Sequence, residues 1–254
     1  MAVIIVLTNQ KGGVGKTTST AALAAGLGSK GYKVLAVDLD PQGNLGFSLG
    51  LDINTHCTIY EVLKGGIAIQ EAIHQTETCD IIASNILLSE AEIEFQRENR
   101  ETLLKERLEE VKDNYDFIII DTPPSLNILT LNAYAASDYL IIPMAAEILS
   151  LVGLIQLKET VEAVRGGVNP HLEILGILLT KYNKRTRLAA DVLEMAETVA
   201  GQTKTTLFQS KIRAGVAAAE APAHGENIFA YAPRSNPARD YKAFIEEVLS
   251  RTAK

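Results

Sequence analysis

Lys11-Gly12-Gly13-Val14-Gly15-Lys16-Thr17-Thr18 follows the apolar run Val3–Leu7 and opens the small-residue stretch Ala21-Ala22-Leu23-Ala24-Ala25. Strand, glycine loop, helix is the context a phosphate cradle requires. Glycines let backbone N–H groups turn inward around an anion with no Cβ in the way. The helix that begins after Gly15 adds unpaired N–H groups and a partial positive charge. Lys16 can reach β- and γ-phosphates, and the Thr17 hydroxyl can ligate Mg²⁺. Gly12, Gly13, Val14 and Gly15 supply the cradle, and Thr18 continues it into the helix.

The loop departs from G-x-x-x-x-G-K-[ST], because Gln10 stands where the first glycine belongs. A second lysine, Lys11, opens the loop instead. Two cations beside one triphosphate repel unless both meet negative charge. Lys11 therefore serves its own nucleotide or projects to one bound across a dimer face. A glycine turn with two solvated lysines is the plainer account, but G-G-x-G-K-T-T after a strand is a far narrower signal than a lone G-x-G-x-x-G.

The chain has 254 residues, 47% of them apolar and 22% charged, enough for one large α/β domain with a sizeable core. Two cysteines, Cys57 and Cys79, lack metal-type spacing and give no disulfide framework, so a reducing cytosol is expected. No apolar run approaches membrane-helix length, and the N-terminus lacks the basic region of a signal peptide. The net charge of −7 is uneven: residues 1–150 hold 10 Lys/Arg against 20 Asp/Glu, residues 151–254 hold 14 against 11. A mildly basic C-terminal part can carry a local patch for a polyanion.

A second strand, Val34–Val37, leads into Asp38-Leu39-Asp40-Pro41-Gln42-Gly43-Asn44. Strands separated by helices pair in parallel, so their C-terminal ends share the edge that holds the phosphate loop. Asp38 and Asp40 point to one side if the strand persists, delivering two carboxylates there. Thr58–Gly65 and Ala68–His74 read as short helices and Cys79–Ala83 as a short strand. Ser89–Asp113 is a long charged segment with apolar residues at approximately helical spacing. Phe117–Asp121 is the strongest strand signal, a continuous apolar run suited to a strand covered on both faces. Asp121, at its end, fits a direct or indirect Mg²⁺ partner for Thr17. Strands at Tyr139–Pro143, Ile174–Thr180 and Thr206–Gln209 follow, with helices at 149–164, 187–200 and 237–251. Short loops and no composition break favour one domain over 1–254.

The chain resembles the ParA/Soj family of partition ATPases, in the deviant Walker A class related to MinD. The residues that carry the resemblance are Lys11–Thr18, Asp38–Asn44, Asp121-Thr122-Pro123-Pro124-Ser125-Leu126, Gly176–Thr180, Glu220-Ala221-Pro222 and the Tyr231–Tyr241 stretch. The fold implied is a single-domain α/β P-loop NTPase, a mostly parallel twisted sheet with helices on both faces. The resemblance implies an ATP-sandwich homodimer using ATP and Mg²⁺. Lys11 matches the signature lysine that reaches the partner's nucleotide, Lys16 the phosphate lysine, and Thr17 the Mg²⁺ ligand. Asp40 matches the carboxylate that positions or activates the attacking water, and is counted with the metal site. Asp121 matches the Walker B aspartate. Thr180 and Lys181 join the nucleotide-binding set. Similar proteins bind DNA non-specifically as ATP dimers, with weak hydrolysis stimulated by a ParB-like partner, in the cytoplasm on the nucleoid.

One departure stands out: where the family often carries Arg-Asn-Val-Arg, this chain reads Ala214-Gly215-Val216-Ala217. The DNA-contact candidates are Lys184, Arg185, Arg187, Lys211 and Arg213. The alternative is a MinD-like or cargo-positioning ATPase on a membrane surface or protein assembly. Its membrane form needs a basic amphipathic C-terminal helix with large apolar residues, whereas Phe244–Lys254 is short and carries paired glutamates, so no stable membrane binding is expected. A nitrogenase-reductase-like carrier needs cluster cysteines that are missing. No feature argues for an amide-forming synthetase.

Overall fold

The computed structural model describes residues 1–51, 57–95, 98–147, 152–183, 186–202 and 205–252. Seven strands form one sheet: β1 (Val3–Leu7), β2 (Val34–Asp38), β3 (His74–Gln75), β4 (Asp80–Ile82), β5 (Phe117–Asp121), β6 (Tyr139–Ala145) and β7 (Glu173–Thr180). Their order is β3-β4-β2-β5-β1-β6-β7, parallel throughout except for the two-residue β3, which runs antiparallel to β4. The helices are α1 (Lys16–Ser29), α2 (Asn44–Ser48), α3 (Ile59–Lys64), α4 (Ala91–Glu94), α5 (Leu103–Glu109), α6 (Ile128–Ala136), α7 (Val152–Gly166), α8 (Arg187–Gln202), α9 (Ala217–Ala223), α10 (Ile228–Tyr231) and α11 (Asn236–Arg251).

Strand residues alternate between two cores, as the period of two demands. Ile4, Val6, Ile118 and Ile120 face a core with Val62 of α3, Leu104 of α5, Leu129 of α6 and Leu157 of α7. Ile5, Leu7, Phe117 and Ile119 face the other, with Leu23 of α1, Leu45 of α2 and Phe244 of α11. Helices thus cover both faces of a mostly parallel sheet, the architecture expected from the apolar runs. In register, Leu7 and Asp38 both flank Asp121. The ends of β1, β2 and β5 therefore meet beneath the glycine loop.

Three expectations are corrected. Ala68–His74 is not a helix: a single 3-10 turn, Ile69–Ala72, leads into β3, whose hairpin with β4 is closed by the Thr76 N–H donating to the Cys79 carbonyl at 2.9 Å. Ser89–Asp113 is broken rather than one long helix. Asn99 is left-handed (φ 59°), and Asn132 of α6 accepts the Leu104 N–H at 2.9 Å while donating to the Arg100 carbonyl at 2.8 Å, so α5 starts on that side chain. Thr206–Gln209 forms no strand; Leu207 makes an isolated parallel bridge to Ile177. There Gln209 and Ser210 donate their N–H groups to the Glu247 carboxylate at 2.8 and 3.0 Å instead of to a ladder. The short helix α2, the helix α6 and the turn α10 were not anticipated. For α6 a signal existed: Asn127 precedes an apolar run, and its side chain accepts from the Leu129 and Thr130 N–H groups.

Helix α1 is made of small residues because it is packed closely. A Cβ on Gly28 would lie 1.8 Å from the Thr78 carbonyl oxygen, and one on Gly26 would lie 2.1 Å from Ile245 Cδ1. The Gly28 clash is with backbone, so no rotamer relieves it. Gly28→Ala is expected to destabilise the protein by about 1–3 kcal/mol, read from the midpoint of urea denaturation. Gly166→Ala, at the end of α7 with open space around it, serves as the control and should be neutral or slightly stabilising.

Candidate nucleotide site

The loop between β1 and α1 is pinned from both sides. The Asn9 amide donates to the Pro143 carbonyl at 2.8 Å and accepts the Lys11 N–H at 2.9 Å. Thr180 Oγ1, at the end of β7, donates to the Val14 carbonyl at 2.7 Å. Gly13 (φ 71°) and Gly15 (φ 82°) take left-handed backbone that an L-residue rarely adopts, and nothing lies within 4 Å of a Cβ built on Gly12 or Gly13. The loop is thus fixed in shape and open on its inner side, the form a phosphate cradle needs.

Lys16 is only 6% exposed, and its Nζ donates to the Lys11 carbonyl at 3.2 Å. Burial pulls its pKa down against the attraction of Asp121 and Asp40. A buried ammonium held by one carbonyl is suited to an anion entering the loop. Thr17 Oγ1 donates to Asp121 Oδ2 at 2.6 Å, and Thr20 Oγ1 donates to Asp121 Oδ1 at 3.1 Å. Asp121 is fully buried behind Thr17. Its pKa is raised to about 6, because burial outweighs the Thr17 hydrogen bond and the Lys16 charge.

Asp38 and Asp40 part company. β2 ends at Asp38, whose buried carboxylate accepts the N–H groups of Asp40 at 2.9 Å and Leu45 at 3.0 Å. It therefore fastens the turn, and does not reach the phosphate edge. Burial, then the neighbouring Asp121 charge, raises its pKa well above the usual carboxylate range. Asp40 stands in the turn beyond the strand and lines the cavity with Lys16 and Thr17.

That cavity is about 530 Å³. Gly12, Gly13, Gly15, Thr17 and Thr18 line it, with Thr180 and Lys181 (left-handed at φ 50°). Ile212, Arg213, Ala214, Gly215, Ala218 and Ala219 add a further wall, small and apolar apart from the one arginine, which motif spacing did not reveal. Tyr241 of α11 also lines it and shares a buried hydrogen bond with Ser19 of α1 at 3.0 Å. A cradle, a buried ammonium and a wall of mostly small apolar residues suit a nucleoside triphosphate. Thr17, Asp121 and Asp40 are oxygen donors of the kind Mg²⁺ takes when phosphates and water complete its shell. No group of three or more His, Cys, Asp or Glu that could hold a metal alone occurs among the described residues.

Lys11 is not among the cavity's walls; its Nζ pairs with Glu147 Oε2 at 2.5 Å. The Lys11 hydrogen bond and charge hold the Glu147 carboxyl below its usual pKa. Of the DNA-contact candidates, Lys184 and Arg185 lie outside the described residues, and Arg187 opens α8. Lys211 Nζ lies over the Tyr182 ring, 5.9 Å from its centroid. Arg213 does not stand free in solvent: its guanidinium is forked on Asp240 at 2.6 to 3.2 Å.

Fold and site together define a P-loop nucleoside triphosphatase. The AAA domain family model matches residues 2–174. The chain is 43% identical over 254 residues to the sporulation initiation inhibitor protein Soj of Bacillus subtilis, covering 98% of this chain and 99% of that one. It is 42% identical over 252 residues to the chromosome partitioning protein ParA of Myxococcus xanthus, covering 98% and 88%. A solved structure of cobyrinic acid a,c-diamide synthase from Mycobacterium smegmatis with bound ADP and magnesium superposes with a TM-score of 0.87 at 34% identity, covering 100% and 96%. A plasmid partition protein from Borrelia burgdorferi bound to AMPPNP gives 0.85 at 29% identity, covering 99% and 100%. The chain belongs to the ParA/Soj family of chromosome-partitioning ATPases. No helix among the described residues is long and apolar enough to cross a membrane.

Two buried carboxylates that resist ionisation make the unliganded site sensitive to pH. A carboxyl with a raised folded-state pKa binds more protons folded than unfolded, so stability falls as pH rises through the gap. For Asp121 the gap runs from 3.8 to about 6, which corresponds to a loss of about 3 kcal/mol at most. Asp121→Asn should flatten this fall. Urea denaturation of nucleotide-free, EDTA-treated parent and variant at pH 5 and pH 7.5 checks it; equal slopes would show that Asp121 does not titrate there.

Proposed function

We propose that the chain, working as one domain over 1–254, is an ATP-dependent DNA-segregating ATPase that closes as an ATP-sandwich dimer. The observation that carries this reading is the split between its two loop lysines. Lys16 is buried in the cradle, whereas Lys11 turns out of the cavity to Glu147. A cation turned away from its own cavity is placed to meet a nucleotide held by a second copy. ATP and Mg²⁺ are the cofactors. Lys16 and the loop N–H groups hold the phosphates, Thr17 ligates the cation, and Asp121 orients Thr17 from behind. Mg²⁺ supplies charge neutralisation of the β- and γ-oxygens. Asp40 orients or deprotonates the attacking water. Weak hydrolysis, stimulated by a ParB-like partner, then resets the dimer, and the cargo moves over the nucleoid in the cytoplasm.

The synthase name of the Mycobacterium smegmatis neighbour offers another chemistry. The cavity is of nucleotide size, and two relatives at 42% identity, ParA of Myxococcus xanthus and Soj of Treponema pallidum, carry partitioning names, so partitioning is the reading we keep.

Two experiments decide the chemistry and the cargo surface. Asp40→Ala should bind ATP and dimerise but lose hydrolysis by at least 100-fold, on the order expected for a lost general base. Lys11→Ala should bind nucleotide as a monomer. Sedimentation with a non-hydrolysable ATP analogue, with turnover measured in parallel, checks both; a normal dimer with normal stimulated turnover leaves Lys11 a surface lysine.

For DNA, reversing Lys184, Arg185 and Arg187 to glutamate should abolish ATP-dependent retention on non-specific duplex while sparing dimerisation. Retention by the parent should fall steeply with salt, since phosphate contacts release counterions, and should gain from the doubled contacts of a dimer. Undiminished retention by the variant would move the surface elsewhere, to Arg234, Arg239 and Lys242.

A further inference from the structure

The Ile212–Gly215 wall of the cavity belongs to a segment with little secondary structure of its own. Residues 206–214 run beside β7 and bond to it only intermittently. The Phe208 N–H donates to the Ile177 carbonyl at 2.9 Å, and the Ile212 N–H to the Leu179 carbonyl at 2.8 Å. Between these contacts the segment bulges away, and α11 supplies the missing partners. Arg251 donates to the Leu207 carbonyl at 2.8 Å and to Thr206 Oγ1 at 2.9 Å. Glu247 accepts the Gln209 and Ser210 N–H groups. Asp240 accepts the Arg213 N–H at 2.9 Å and holds its guanidinium through both carboxylate oxygens. Residues 240, 247 and 251 share one side of the helix by its period.

Asp240 occupies the end of this series that matters for the ligand. It is 14% exposed, and the residue it grips, Arg213, itself lines the cavity between Ile212 and Ala214. Gly215 lies so close to α11 that a Cβ would meet Pro237 Cγ at 2.7 Å. The wall is therefore pressed between the cavity and the first turn of α11, with Asp240 as its ionic fastening. The glycine loop has its own supports in Asn9 and Thr180.

We infer that Asp240, through Arg213, is a positioning residue for the nucleoside half of the ligand: it fixes the Ile212–Gly215 wall against which the base and ribose lie, and has no part in holding the phosphates. The inference rests on reading the cavity as the nucleotide site. It also assigns Arg213 to the nucleotide side of the molecule instead of the DNA surface.

A ligand with phosphates and no nucleoside separates the two halves. Calorimetric titration with Mg²⁺–ADP and with Mg²⁺–tripolyphosphate is compared for the parent, Asp240→Ala and Asp240→Asn. Asp240→Ala removes every oxygen that grips Arg213, and should weaken ADP about tenfold, the scale of one charge-assisted hydrogen-bond pair, while tripolyphosphate binds within twofold of the parent. Asp240→Asn keeps an oxygen for the Arg213 N–H, is the milder perturbation of folding, and should weaken ADP by about threefold with tripolyphosphate again unchanged. ADP affinity within twofold of the parent in both variants overturns the inference. So does an equal loss for ADP and tripolyphosphate, which is what general loosening of the fold produces. A parent that binds tripolyphosphate and not ADP overturns the reading of the cavity, and the positioning role with it.

Discussion

The site hangs on a carboxylate that has no contact with water. Asp121 ends the central strand β5, between β1 and β2, and its two oxygens are taken by Thr17 and Thr20 from successive turns of α1. Those two hydrogen bonds lock the start of the helix to the sheet, and the helix start carries Lys16. Moving Asp121 would move the loop, the helix and the ammonium together. The arrangement is electrostatically unfavourable when no ligand is present. Asp38 and Asp121 lie side by side in register, both buried, and both resist ionisation, while Lys16 resists protonation for the same reason of burial. A polyphosphate bound as proposed would give Lys16 an anion, and a divalent cation beside Thr17 would give Asp121 a charge partner. Binding of that kind would link occupancy to stability.

What was legible in the sequence was what local pattern decides. Val3–Leu7 and Phe117–Asp121 are continuous apolar runs, and both are strands with those bounds. The glycine loop was legible because Gly13 and Gly15 are needed for backbone that other residues avoid. Asp38 and Asp40 show where such reasoning stops. A period of two places them on one side only while the strand continues, and it ends at Asp38. The turn that follows needs an acceptor for two N–H groups, and the nearest carboxylate turns inward to provide it.

The remaining misreadings share a cause: the partner lies far away in the chain. α5 begins where Asn132 accepts the Leu104 N–H, and no window around residue 104 contains Asn132. Residues 206–210 have the composition of an edge strand and bond to β7 at Ile177, but the Gln209 and Ser210 N–H groups and the Leu207 carbonyl are taken by Glu247 and Arg251. Burial opposes the charged form of Glu247, yet the Ser210 and Gln209 N–H groups outweigh it and hold the carboxyl below its usual pKa. Helix α11, recognisable alone as an amphipathic closing helix, thus supplies structure to a segment some forty residues earlier.

The same pairing changes what the charge count means. The C-terminal part of the chain is basic in sum, yet its cations are not equally available to a polyanion. Arg213 is forked on Asp240, Arg251 pairs with Glu247 while lying over the Phe208 ring, and Arg165 pairs with Glu162. Pairs of this kind at the surface add little stability, but each cancels a charge in the field that a polyanion meets. Lys211 is placed over the Tyr182 ring instead. In the proposed dimer the same surface would be presented twice, and a polyanion would gain by effective concentration. Lys11, outside the lining of its own cavity, is the residue through which the proposal has that second copy recruited.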